Sequence, residues 1–150
     1  MYDKRLKDEF WTSFGKYMAL SHSATGEKQH WLNYKTGVRY LQFRMDADEH
    51  HAMIAIELAN PDEEARQRLY NLFLADRDLL TQYTNEAWNW ENDLNIDGGR
   101  TISKIYRELK EVNVYRKTDW PAIISFLKPA MMGLDLFWTE QKEFYQMIAG

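Results

Sequence analysis

Asp46, Asp48 and Glu57 are the residues whose order could serve catalysis. Many magnesium-dependent nucleases place an acid before a turn and a Glu-x-Lys on the strand that follows. The paired carboxylates hold a hard cation through oxygen. The cation activates water and stabilises charge developing on the phosphate, and the lysine adds a second positive group. Residues i and i+2 of a strand share a face, so the lysine belongs two positions after Glu57. That position is Ala59. Asp46, Asp48 and Glu57 are the catalytic candidates of this reading, and magnesium is a cofactor under it alone. The plain alternative gives Glu57 a structural place at the end of a buried strand.

Asp93-Leu94-Asn95-Ile96-Asp97-Gly98 has the oxygens and the sixth-position glycine of half a calcium loop. Its twelfth position is Lys104, where calcium needs a bidentate glutamate, so a polar β-turn explains the segment better. The histidines at 22, 30, 50 and 51 lack any ligand spacing. There is no cysteine, no Gly-x-Ser-x-Gly, no phosphate loop and no dinucleotide fingerprint. Nucleophilic catalysis through these motifs is therefore not expected.

The second candidate set is basic. Within residues 100–117, Arg100, Lys104, Arg107 and Lys110 fall on an expected β-hairpin beside Arg116 and Lys117, against Glu108 and Glu111. Such a stretch can meet phosphates or form a solvated strand face next to an acidic neighbour. The neighbour exists: residues 46–93 hold 12 acidic groups against 3 basic ones. The whole chain of 150 residues has a net charge of −4, which gives no general affinity for nucleic acid. Trp88-Asn89-Trp90-Glu91 is an aromatic strand that would stack bases if exposed and pack under a helix if buried.

Several elements must position these residues. Leu6, Phe10, Phe14, Tyr17 and Met18 recur at helical spacing, so residues 3–18 form a helix with Asp3 as N-cap. Residues 31–35 and 38–45 read as strands joined at Thr36-Gly37. A third strand covers residues 51–58, apolar on both faces and hence central. Asn60 as N-cap and Pro61 at the first helical position open a helix ending near residues 82–84. Strands at 88–94 and 101–109 flank Asp97-Gly98-Gly99, and residues 112–115 continue the second or add another. Asp119-Trp120-Pro121 starts the last helix, which Pro129 should kink or split near Lys128. Its apolar stripe suits a core face, or a seam between subunits.

The order α-βββ-α-ββ(β)-α predicts an α+β fold with a mainly antiparallel sheet in one domain, residues 1–150. A degenerate PD-(D/E)XK-like core is its more specific form. Aromatic residues make up 15% of the chain, and the six tryptophans fall one or two per element, as a shared core requires. The charged N-terminal stretch lacks an apolar leader, and no apolar run approaches a membrane span, so a cytoplasmic protein without a membrane partner is expected.

As a set, Phe10-Trp11-Thr12-Ser13-Phe14-Gly15, Tyr40-Leu41-Gln42-Phe43-Arg44-Met45-Asp46, Ile54-Ala55-Ile56-Glu57-Leu58, Trp88-Asn89-Trp90-Glu91, Asp119-Trp120-Pro121 and Phe126-Leu127-Lys128-Pro129 resemble the bacterial family catalogued as domain of unknown function 4268. The resemblance runs over nearly the whole chain. Short members are similar to proteins of Bacteroidetes-type bacteria. Longer relatives carry a comparable domain behind a nuclease-like one of the PD-(D/E)XK superfamily, which implies a link to DNA metabolism or defence for those relatives. The resemblance implies no established activity, and so no catalytic residues. The leading expectation is a non-catalytic interaction domain acting through a protein partner, its own copies or nucleic acid. The alternatives are a divalent-metal-dependent nuclease relative and a DNA-binding accessory domain.

Overall fold

A computed structural model describes residues 3–150; Met1 and Tyr2 of the charged N-terminal stretch lie outside the described residues. Helix α1 spans Lys4–Met18 and begins where Asp3 accepts a hydrogen bond from the Arg5 backbone N–H at 2.9 Å. Phe10, Phe14 and Met18, four residues apart, form its buried stripe.

The segment expected as a first strand, residues 31–35, is instead a turn of 3-10 helix at Trp31–Asn33. Such a turn aligns residues three apart. Trp31 and Tyr34 thus both enter the core while Leu32 stays out. The Trp31 indole donates to the Ser21 carbonyl at 3.1 Å. Thr36-Gly37 consequently joins no hairpin. The Thr36 hydroxyl accepts from the Val38 backbone N–H at 3.1 Å and lies 2.9 Å from the Leu41 carbonyl, tying the loop to the first true strand.

That strand is β1, Leu41–Ala47, followed by β2, His51–Leu58. After β2 the expected single helix is two. Helix α2 runs Glu63–Ala75 and α3 runs Arg77–Thr84. Asn60 does not cap α2; its side chain accepts from the Asp62 N–H at 3.0 Å, and Asp62 takes the N-cap position. The break falls at Asp76, whose carboxylate accepts from the Tyr145 hydroxyl at 2.8 Å. Strands β3, Asn89–Ile96, and β4, Arg100–Lys110, follow around Gly98 and Gly99, both at positive φ. Residues 112–115 add no strand. The Glu111 and Val114 N–H groups donate to the carbonyls of His50 and Asp48 in the β1–β2 turn.

Helix α4, Trp120–Ala149, closes the chain. Pro129 does not split it, because Leu127, Ala130 and Met131 stay packed on either side. By length and composition α4 could cross a membrane, a test that the core helix of a soluble fold also passes; half of that apolar window is buried inside the fold.

The result is a mixed α+β fold. The four-stranded sheet has the order β1-β2-β4-β3 with every pair antiparallel. In the central strand, Ala52, Ile54, Ile56 and Leu58 point to the helices, and each is at most 1% exposed. Phe73, Phe137, Trp138 and Tyr145 pack together across α2 and α4. The tryptophans belong to this core or lean on it. Trp88 is buried, and Trp90 meets Tyr70 edge to face at 5.9 Å. The helices cover one face of the sheet, leaving the even-numbered residues of β1 and β4 and the odd-numbered residues of β2 on the other.

Candidate functional site

The face turned away from the helices collects most of the chemistry-bearing side chains. Antiparallel pairing sets directly opposed residues side by side. Glu57 on β2 opposes Lys104 on β4, and Lys104 opposes Glu91 on β3. On β1, Arg44 opposes Ala55 and leans diagonally, placing Nη1 3.2 Å from Glu57 Oε1. Charge thus alternates across all four strands, over roughly 14 Å at ordinary strand spacing. The row is held from within. Lys104 lays its Nζ over the Tyr106 ring, 4.8 Å from the centroid, and the Tyr106 hydroxyl donates to Glu91 at 2.8 Å. That hydrogen bond, with some burial and the nearby Glu91 and Glu108 charges, raises the Tyr106 pKa. Glu57, Glu91, Lys104 and Tyr106 are each half-buried, and Ala55 lies fully covered among them.

At the far end of this face, His51 stands between two acids. Its Nδ1 lies 3.0 Å from Glu108 and its Nε2 lies 3.4 Å from Asp48. Burial works to raise the Asp48 pKa. The His50 and His51 backbone N–H groups, each donating to its carboxylate, and the two imidazoles outweigh burial and hold it below the usual value.

The register decides the fate of the acidic candidates. Asp46 opposes Met53, four residues along β2 from Glu57, which is about 13 Å. Asp46 accepts instead from the Ala47 N–H and pairs with Lys7 at 3.5 Å. Asp48 lies beyond the end of β1 and organises the turn. Asp46, Asp48 and Glu57 do not converge, although Glu57 does gain a lysine neighbour from β4. Among the described residues no group of three or more histidines and carboxylates is placed to hold a metal ion. The half calcium loop is strand and turn, with Asp93 at a bulge (φ 51°) accepting from Arg66 and Gln67.

The basic candidates also separate. Lys104 belongs to the charged row, and Lys110 sits opposite His51 at its far end. Arg107 projects to the helix side, where it is 7% exposed, pairs with Glu86 and meets the Trp88 and Phe126 rings. Arg100 opens β4 at the opposite end of the sheet. Arg107 therefore cannot share a surface with Lys104. Its alternation with Lys104 and Lys110 along one strand was the available signal. Arg44, Glu91 and Tyr106 enter the site only through cross-strand pairing.

The family model described as Domain of unknown function (DUF4268) matches residues 6–142. No curated protein and no solved structure matches the chain.

Proposed function

From the premise that this chain belongs to the DUF4268 family, we propose a non-catalytic interaction domain that docks a protein partner on the uncovered face of its sheet. The alternating row Arg44–Glu57–Lys104–Glu91 carries the reading. Its side chains already lean on one another, so docking orders little that is not ordered beforehand. Alternating charge favours a partner of complementary pattern and rejects others in any shifted register. The rival nuclease reading, with its PD-(D/E)XK-like core, needs Asp46 or Asp48 beside Glu57, and the pairing sets them apart.

The test exchanges charges within the row. Glu57→Lys with Lys104→Glu keeps the net charge and inverts the central pair, so that the row reads plus, plus, minus, minus in place of alternating charge. Affinity capture at low salt, compared between the native and exchanged proteins, should yield a partner that the native face retains and the inverted face loses. Captured proteins that do not change on inversion would overturn the reading. Thermal melts confirm that both proteins fold. A second arm incubates the native protein with plasmid, single-stranded DNA and RNA plus magnesium or manganese. The expected result is intact nucleic acid; cleavage abolished by Glu57→Ala would replace this reading with the rival.

A further inference from the structure

The sheet end opposite the histidines carries a second, unrelated feature. Two hollows, of about 510 and 630 Å3, open beside Tyr40 and share Tyr40, Ala59 and Arg100 in their walls. Both are open to solvent rather than enclosed. The larger hollow is also lined by Lys35 and Arg39, and no acidic side chain lines it. Glu63 lines only the smaller one. Lys35, Arg39 and Arg100 are exposed, and none has a carboxylate partner among the described residues. Three cations without a carboxylate partner among the described residues therefore line one hollow of a chain whose net charge is −4.

Tyr40 stands at the shared wall. Its φ is 67°, in the left-handed region that residues with a Cβ rarely adopt. Two backbone bonds hold it there: the Ala59 N–H donates to its carbonyl at 2.9 Å, and Leu41 N–H donates to Val38 at 3.2 Å. The ring is 38% exposed, the Arg39 guanidinium lies 4.7 Å from its centroid, and the Tyr40 hydroxyl has no partner among the described residues. Backbone strain of this kind persists where the surrounding structure enforces it, often at ligand sites.

We propose that this end of the sheet binds a nucleoside phosphate, with the base stacked on the Tyr40–Arg39 pair and the phosphate held by Arg100 and Lys35 in the larger hollow. Tyrosine and guanidinium planes stack on bases. Arginine matches a phosphate through parallel N–H donors, and an aliphatic carboxylate would leave the ring unused. The nucleoside phosphate comes either free or within a single strand, and the two sources share this chemistry.

Calorimetry with AMP and with inorganic phosphate, and fluorescence anisotropy with labelled oligo(dT), test the site. The native protein should bind AMP more tightly than inorganic phosphate. Arg100→Gln should weaken both about tenfold. Tyr40→Gly removes the ring while relieving the backbone, and should weaken AMP about tenfold but leave inorganic phosphate unchanged. Oligo(dT) binding that is tighter than AMP and strongly salt-dependent identifies a single strand as the source; AMP binding as tight as oligo(dT) identifies the free nucleotide. No binding by the native protein, or binding that neither substitution weakens, would overturn the proposal. The exchanged Glu57/Lys104 protein should bind AMP normally, so this site and the sheet face fail or stand separately.

Discussion

Gly133 lets α4 pass close against the end of α3. A Cβ added there would clash with the Tyr83 carbonyl oxygen and lie 3.1 Å from Thr84 Cγ2. The backbone it would strike cannot easily retreat. The Tyr83 hydroxyl donates to Glu140, and the Thr84 hydroxyl donates to Leu80 while accepting from the Trp88 indole at 2.9 Å. Gly133→Ala should therefore act as overpacking and destabilise by roughly 1–3 kcal/mol. For a chain of this size that lowers Tm by roughly 3–10 °C, which differential scanning calorimetry will read. An unchanged Tm would mean that the two helices separate more freely than their hydrogen bonds imply.

At the scale of elements, α3 ends at Asn85, whose φ of 64° puts it in the left-handed conformation that closes many helices. Asn85→Gly should be nearly neutral. Asn85→Val should cost about 1–2 kcal/mol, because a β-branched side chain is strained there. Urea titrations with unchanged slope will order the three proteins. The end of this helix was legible in the sequence, as were α1 with its Asp3 cap, the central strand, and the start of α4 at Trp120. Each is specified locally, by spacing or by a cap. The break at Asp76 was not, since Ala75-Asp76-Arg77 holds neither glycine nor proline. It is fixed by Tyr145, far along the chain. The strand expected at 31–35 failed for a related reason. Trp31 and Tyr34 need the same side of the chain, and only a tight turn delivers both to the core. The sheet face was half legible. Alternation along β4 assigns Lys104 and Arg107 to opposite faces, but nothing local to β2 reveals that Glu57 meets Lys104 while Asp46 lies two rows away. Cross-strand register is a tertiary property, and both candidate sites depended on it.

At the scale of the whole molecule, two buried phenols join α4 to the rest of the fold. The Tyr34 hydroxyl donates to Asp135 at 2.6 Å, and Asp135, itself 1% exposed, also accepts from Ser23 and the Ala24 N–H. This cluster fastens the loop before β1 to the middle of α4. The Tyr145 hydroxyl donates to Asp76 and fastens the α2–α3 junction to the C-terminal turns. Burial first, and then donation to a carboxylate, pushes both phenol pKa values well above the ordinary value of 10. Ionising either phenol would place its negative charge against that of its acceptor, so the folded state holds both protons. The unfolded chain releases them near pH 10. Above that pH the unfolded state binds fewer protons than the folded one, and stability falls with rising pH. Below it the contribution is fully present. Urea midpoints should stay level from about pH 8 to about pH 9.5 and then drop steadily toward about pH 12. Tyr34→Phe and Tyr145→Phe should each lower stability at about pH 8, by roughly 1.5–3 kcal/mol for a hydrogen bond to a charged group. Each should also make the alkaline fall shallower, because one fewer proton is linked to unfolding. A fall as steep in both variants as in the native protein would show that alkaline unfolding is governed by other groups.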